Sequence, residues 1–190
     1  MSDAPALYFD LGSPYAYLAV ERAPAVLGVE PELRPVLLGA IFAHRGRGSW
    51  AETTERAANI GELERRAAAY GLPLRWPAVW PPNSLTAMRG AIVAGREGRA
   101  RPFALAAFRA AFAEGRDLSD PKVVVDAGRG AGLDPERLSR AVSDPEVKLE
   151  LRRATDEAFA AGVRGVPTLR VGDALFYGDD RLDEAAAAAR

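Results

Sequence analysis

A chain of 190 residues with 48% hydrophobic and 27% charged side chains carries enough apolar surface for one good core, which excludes a disordered protein. Its 25 basic and 26 acidic residues are interspersed and leave a net charge of -1, a balance that argues against a nucleic-acid partner. No run is long enough to span a membrane, the first residues, Met1 to Pro5, lack the positive and apolar pattern expected of a secretory signal, and with no cysteine and a single histidine, His44, a His/Cys zinc site cannot be assembled.

Residues 6–10 read as a short buried strand that turns through Gly12. Ser13 followed by Pro14 predicts a helix start, because serine caps free N–H groups and proline fits the first turn. That helix is expected to reach about Leu27 and stop at Gly28. Residues 31–38 read as a second strand, and strand–helix–strand at this spacing predicts parallel pairing. Helices are then expected over 52–70, 84–97, 102–114, 121–131, 135–142 and 145–161. The Pro- and Trp-rich stretch 71–82 is expected to be an irregular connector. Asp120-Pro121, Asp134-Pro135 and Asp144-Pro145 repeat one start signal, a capping aspartate before a proline at the first helical position. Strands are predicted again at Thr168–Val171 and 174–177 around a Gly172-Asp173 turn, and a last alanine-rich helix from about Asp180.

The order βαβ, helices, ββα fits an α/β protein with one thioredoxin-like sheet split by a large helical insertion, a DsbA-like arrangement. Residues 1–39 and 163–190 would form a discontinuous thioredoxin-like domain, and 40–162 an inserted helical domain. Thioredoxin-like proteins place a Cys-x-x-Cys pair at the start of the first helix and a cis-proline loop facing it. Here the first site reads Ser13 and Ala16, and the second reads Val166-Pro167-Thr168. Any sulfur chemistry must therefore arrive with a small molecule, and the usual dithiol exchange is excluded.

Five blocks carry a closer likeness: Tyr8 to Tyr17, Arg34 to Phe42, Gly71 to Leu74, Asn83 to Arg89 and Gly178 to Leu182. With them the chain resembles the 2-hydroxychromene-2-carboxylate isomerase and kappa-class glutathione transferase family. The resemblance implies a glutathione-dependent isomerase acting on an aromatic catabolite through reversible thiolate addition, with a homodimer as the family expectation; a cytoplasmic location is the default, because nothing in the sequence addresses the chain elsewhere. A kappa-class glutathione transferase and a non-catalytic thiol-binding module are the alternatives. It further implies that Ser13 hydrogen-bonds the sulfur of glutathione, or of another low-molecular-weight thiol, with Tyr15 beside it. Val166, ahead of a cis-Pro167, would offer its backbone to the cysteinyl part, while Asp179 and Asp180 would take the γ-glutamyl end. The family's asparagine after the second strand is replaced by Arg47, which could pair with the glycyl carboxylate.

The helix start at Ser13 favours this reading independently, since free N–H groups and a positive partial charge lower a thiol's pKa. Each residue also has a plainer reading. Ser13 can serve only as a cap, Asp180 as the cap of the last helix, and Asp179 as a solvated loop residue. Trp50, Trp76 and Trp80 either line an aromatic-substrate pocket or pack under the connector. Asn83 reads first as a helix cap and second as a substrate contact. His44, between Ala43 and Arg45, reads as a loop residue rather than a base.

Overall fold

The computed structural model describes residues 4–46 and 48–189. Strand β1 (Ala6–Phe9) is buried throughout and pairs in parallel with β2 (Glu32–Pro35), Leu7 standing opposite Leu33. Helix α1 (Pro14–Leu27) joins them, capped by the Ser13 hydroxyl and closed by Gly28 at φ 73°. Strand β3 (Thr168–Val171) lies antiparallel to β1, and β4 (Ala174–Tyr177) antiparallel to β3, giving the sheet order β2-β1-β3-β4.

The expected second strand is shorter than its apolar run. Pairing ends at Pro35, and from Leu38 the chain forms an unforeseen helix, α2 (Leu38–His44). His44 thus closes a helix instead of sitting in a loop; it stacks on Phe159 with ring centroids 4.8 Å apart. The helix expected from residue 52 begins later, as α3 (Arg56–Ala69), after a separate 3-10 turn at Trp50–Glu52. The remaining helices fall close to expectation: α4 (Leu85–Arg96), α5 (Ala100–Phe112), α6 (Pro121–Gly130), α7 (Pro135–Ala141) and α8 (Pro145–Ala160). Asp120, Asp134 and Asp144 each accept a first-turn N–H, from Lys122, Arg137 and Glu146, at 2.9, 2.7 and 2.8 Å. A 3-10 turn, Asp179–Arg181, leads into α9 (Leu182–Ala188).

Alternation along β1 assigns its side chains to opposite faces. Leu7 and Phe9 enter the large core, whereas Tyr8 joins Val36, Ile41, Ala158 and Val163 on the other side. The large core runs without interruption from the sheet into the inserted helices. Phe9 meets Phe108 of α5 at 5.9 Å between centroids, and Tyr17 of α1 meets Phe112 at 5.8 Å. Through this packing the insertion grips α1, whose N-terminus points at the candidate site.

Candidate functional site

The turn from β1 into α1 is organised by Asp10, a carboxylate only 3% exposed. Its Oδ1 accepts the Gly12 N–H at 2.8 Å and the Ser84 hydroxyl at 2.9 Å, while its Oδ2 accepts the Leu38 N–H at 2.9 Å. One side chain thereby ties together the start of α1, the start of α2 and the start of α4. Sequence reasoning missed it, because none of its partners except Gly12 is near in the chain. Burial, opposed by these three donors, raises the Asp10 pKa above the usual carboxylate value.

A consequence can be measured. An asparagine at position 10 must turn its amide N–H₂ toward either Gly12 N–H or Leu38 N–H, leaving a donor facing a donor. Asp10→Asn is expected to cost about 1–3 kcal/mol near pH 4 in urea unfolding. A carboxyl whose pKa is raised by folding contributes stability below its unfolded pKa and loses it as pH rises through the folded one. The gap between wild type and Asp10→Asn therefore narrows above pH 4; a gap independent of pH would show that the carboxyl is not raised.

Ser13 sits on this turn, 4% exposed, its Oγ accepting the Ala16 N–H at 3.3 Å. Its hydroxyl hydrogen is left to donate elsewhere. Gly12 and Tyr15 on either side of it border two different cavities. On the Tyr15 side, a cavity of about 360 Å³ is lined by Tyr15, Trp50, Arg66, Val166, Pro167, Tyr177, Asp179 and Asp180, among others. The Val166-Pro167 peptide is cis. Neither the N–H nor the C=O of Val166 has a hydrogen-bond partner among the described residues.

Asp179 is not a solvated loop residue: it is fully buried. Gly178, at φ 116° and anchored by its N–H to the Pro167 carbonyl at 2.9 Å, makes the bend that turns Asp179 inward. The Asp179 Oδ1 accepts from Arg66 at 2.8 Å, while its Oδ2 is buried with no partner. Burial raises the Asp179 pKa; Arg66 opposes and Asp180 adds to it. Arg66 also contacts Glu62 and, at 3.4 Å, the exposed Asp180, so Asp180 faces the same guanidinium and makes no side-chain cap. Arg66, on α3, is a site residue the sequence did not flag. Burial and the Glu62 charge push the Tyr15 hydroxyl up to about 12, so it stays a neutral donor.

Of the three tryptophans, Trp50 walls the cavity beside Tyr15, and Trp80 packs behind it at 5.0 Å between rings. Trp76 meets Trp80 edge to face at 4.9 Å between centroids, and the Trp80 Nε1 donates to the Gly12 carbonyl at 3.2 Å. Trp76 and Trp80 line none of the cavities described; they support the turn that carries Ser13. Arg47 lies outside the described residues.

On the Gly12 side, a second cavity of about 340 Å³ is bordered by Asp10, Leu37, Phe42, Pro81, Asn83, Ser84 and Leu85. Asn83 borders it, and its Oδ1 accepts the Leu85 N–H at 3.2 Å at the start of α4, as the cap reading expects. Among the described residues no helix is long and apolar enough to cross a membrane, and no group of three or more His, Asp or Glu is placed to hold a metal ion.

Comparison with known proteins gives a consistent neighbourhood. A family model described as the DSBA-like thioredoxin domain matches residues 6–189. The chain is 30% identical over 184 residues to the 2-hydroxychromene-2-carboxylate isomerase of Sphingobium xenophagum, spanning 93% of this chain and 92% of that protein. It is 27% identical over 186 residues to the enzyme of the same name from Pseudomonas putida, spanning 92% and 88%. A solved structure of a 2-hydroxychromene-2-carboxylate isomerase superposes with a TM-score of 0.86 at 26% identity, covering 97% of this chain and 93% of that one.

Proposed function

The chain belongs to the DSBA-like thioredoxin family and, within it, to the 2-hydroxychromene-2-carboxylate isomerases, and from that premise we propose a glutathione-dependent isomerase of conjugated aromatic acids. The observation that carries the glutathione reading is a set of unpaired groups in one cavity. The Asp179 Oδ2 is an orphaned acceptor suited to an ammonium group, and the free N–H and C=O of Val166 suit a peptide laid antiparallel to them. A γ-glutamyl tripeptide has both, its α-ammonium joined by a short γ-linked chain to a cysteinyl unit that carries the thiol on its side chain.

When bound, glutathione supplies a thiolate that adds reversibly to a conjugated carbon and leaves again once the adjoining bond has turned. The protein's part is to bind, orient and charge. Asp179 and Asp180 receive the ammonium end, and Arg66, between them, keeps the two carboxylates together. Val166, through its free backbone N–H and C=O, would hold the cysteinyl unit beside the start of α1. There the Ser13 hydroxyl and the free Tyr15 N–H, with the partial positive charge of the helix start, favour the anion. Trp50, held by Trp80, walls the site and excludes water from the sulfur.

The direct test is turnover of 2-hydroxychromene-2-carboxylate with glutathione, followed by assay of both. Interconversion of isomers that needs glutathione and leaves its concentration unchanged is the expected result. Turnover without any thiol would refute the proposal, and consumption of one glutathione per turnover would mark a transferase instead.

A further inference from the structure

Behind the Gly12-side cavity lies a larger one, about 660 Å³, that shares Leu37, Ala40 and Leu85 with it. Its walls are Leu151 and Phe159 of α8, Leu37 and Leu85, and its polar groups are mostly cationic: Arg89, Lys148 and Arg152 against Asp156. Asp156 is already engaged, accepting from His44 at 3.3 Å and lying 3.9 Å from Arg152. Arg89 and Lys148 have no ion-pair partner among the described residues. The Arg89 Nε is moreover buried without any hydrogen-bond acceptor.

A guanidinium Nε buried without an acceptor is costly, so its neighbourhood is built for an acceptor that comes and goes. The surroundings restrict what that acceptor is. Leu85 and Arg89 lie one turn apart on the same face of α4, about 6 Å along the axis, with Leu85 in both cavities and Arg89 in the second. A ligand that spans the two meets aliphatic and aromatic walls first and the guanidinium at its far end.

We propose that Arg89, with Lys148 at the rim, is the carboxylate-binding site for a flat aromatic acid whose ring occupies the Gly12-side cavity. The proposal rests on the isomerase reading for its substrate class and deepens it: it sets the acid's orientation, carboxylate at Arg89 and reacting carbons toward Ser13. Arg89 here binds the substrate and takes no part in holding the thiol, since it borders the second cavity and not the one lined by Val166 and Asp179. A planar bidentate donor is the group that fixes a carboxylate in one plane, which a lysine alone does not.

The probe is trans-cinnamate, with cinnamamide as its neutral counterpart, titrated into the thiol-free protein. Methyl NMR of the wild-type protein is expected to show shifts at Leu37, Leu85 and Leu151, with cinnamate bound about 10-fold or more tightly than cinnamamide. Arg89→Gln is expected to bring cinnamate down to the level of cinnamamide, and Arg89→Lys to recover part of the difference, with glutathione affinity unchanged in both. Equal binding of acid and amide by the wild-type protein, or shifts confined to other methyl groups, would overturn the proposal without any variant having to fold. Cinnamate binding at these methyls in a protein that does not bind glutathione would keep the carboxylate site and sink the isomerase reading alone.

Discussion

Replacing Ser13 by alanine is expected to raise the pKa of the thiol of bound glutathione by about 1–2 units and to lower turnover at neutral pH by roughly 10–100-fold. The magnitude follows from the loss of one hydrogen bond to a charged acceptor, about 1.5–3 kcal/mol, at about 1.4 kcal/mol per pKa unit. The Tyr15 N–H at the start of α1 remains and that of Ala16 is released, so the thiolate is weakened and not lost. Alanine also removes the cap that accepts the Ala16 N–H, which costs about 0.5–2 kcal/mol of stability. Ser13→Gly separates the two effects, because glycine at a cap costs only a few tenths of a kcal/mol. Both variants should show the same rise in an ultraviolet titration of the bound thiol, while only the alanine variant melts appreciably earlier. An unshifted thiol in both would leave Ser13 as a helix cap and nothing more.

Asp179→Asn is expected to weaken glutathione binding by roughly 10–100-fold at neutral pH, the range of a charge-assisted hydrogen bond to an ammonium group. Its pH dependence is the sharper test. Burial holds the Asp179 pKa above the ordinary carboxylate value of 3.8, so the carboxylate is lost on acidification earlier than an exposed one would be. Binding that needs this charge therefore weakens as pH falls through the raised pKa and holds steady above it. Calorimetry should find that acid limb in the wild-type protein and not in Asp179→Asn, which has no charge to lose. Parallel acid limbs in both proteins would show that another group reads the ammonium, Asp180 being the nearest.

The parts of this molecule that the sequence discloses are those whose causes are local. Ser13 and Gly28 bracket α1, and the three aspartate–proline steps open α6, α7 and α8, because caps and prolines act within one turn of where they stand. Helix α2 was hidden for the opposite reason. It has no side-chain cap of its own, and its first N–H is satisfied by Asp10, 28 residues earlier. The late start of α3 has a similar origin: Ser49 caps the 3-10 turn at Trp50–Glu52, so the helical pattern counted from residue 52 joins two elements into one.

The site divides along the same line. Ser13, Val166 and Pro167 lie at strand–helix and helix–strand junctions, where turn chemistry marks them, and the roles proposed for them come from the family resemblance. Arg66 and Arg89 stand within helices among many other arginines, and only tertiary packing singles them out. Asp179 was legible as a position but not as a buried group, since the bend at Gly178 that turns it inward and the guanidinium that meets it both depend on the assembled fold.

The row of rings from Tyr15 through Trp50 and Trp80 to Trp76 has an optical consequence. Indoles with centroids 5.0 and 4.9 Å apart couple their transition dipoles, so their near-ultraviolet circular dichroism belongs to the group and not to any one ring. Trp50 is the indole of this row that lines the cavity beside Tyr15, so a ligand that tilts it retunes the whole couplet. The protein thus carries its own chromophoric reporter, and occupancy can be followed without attaching a dye.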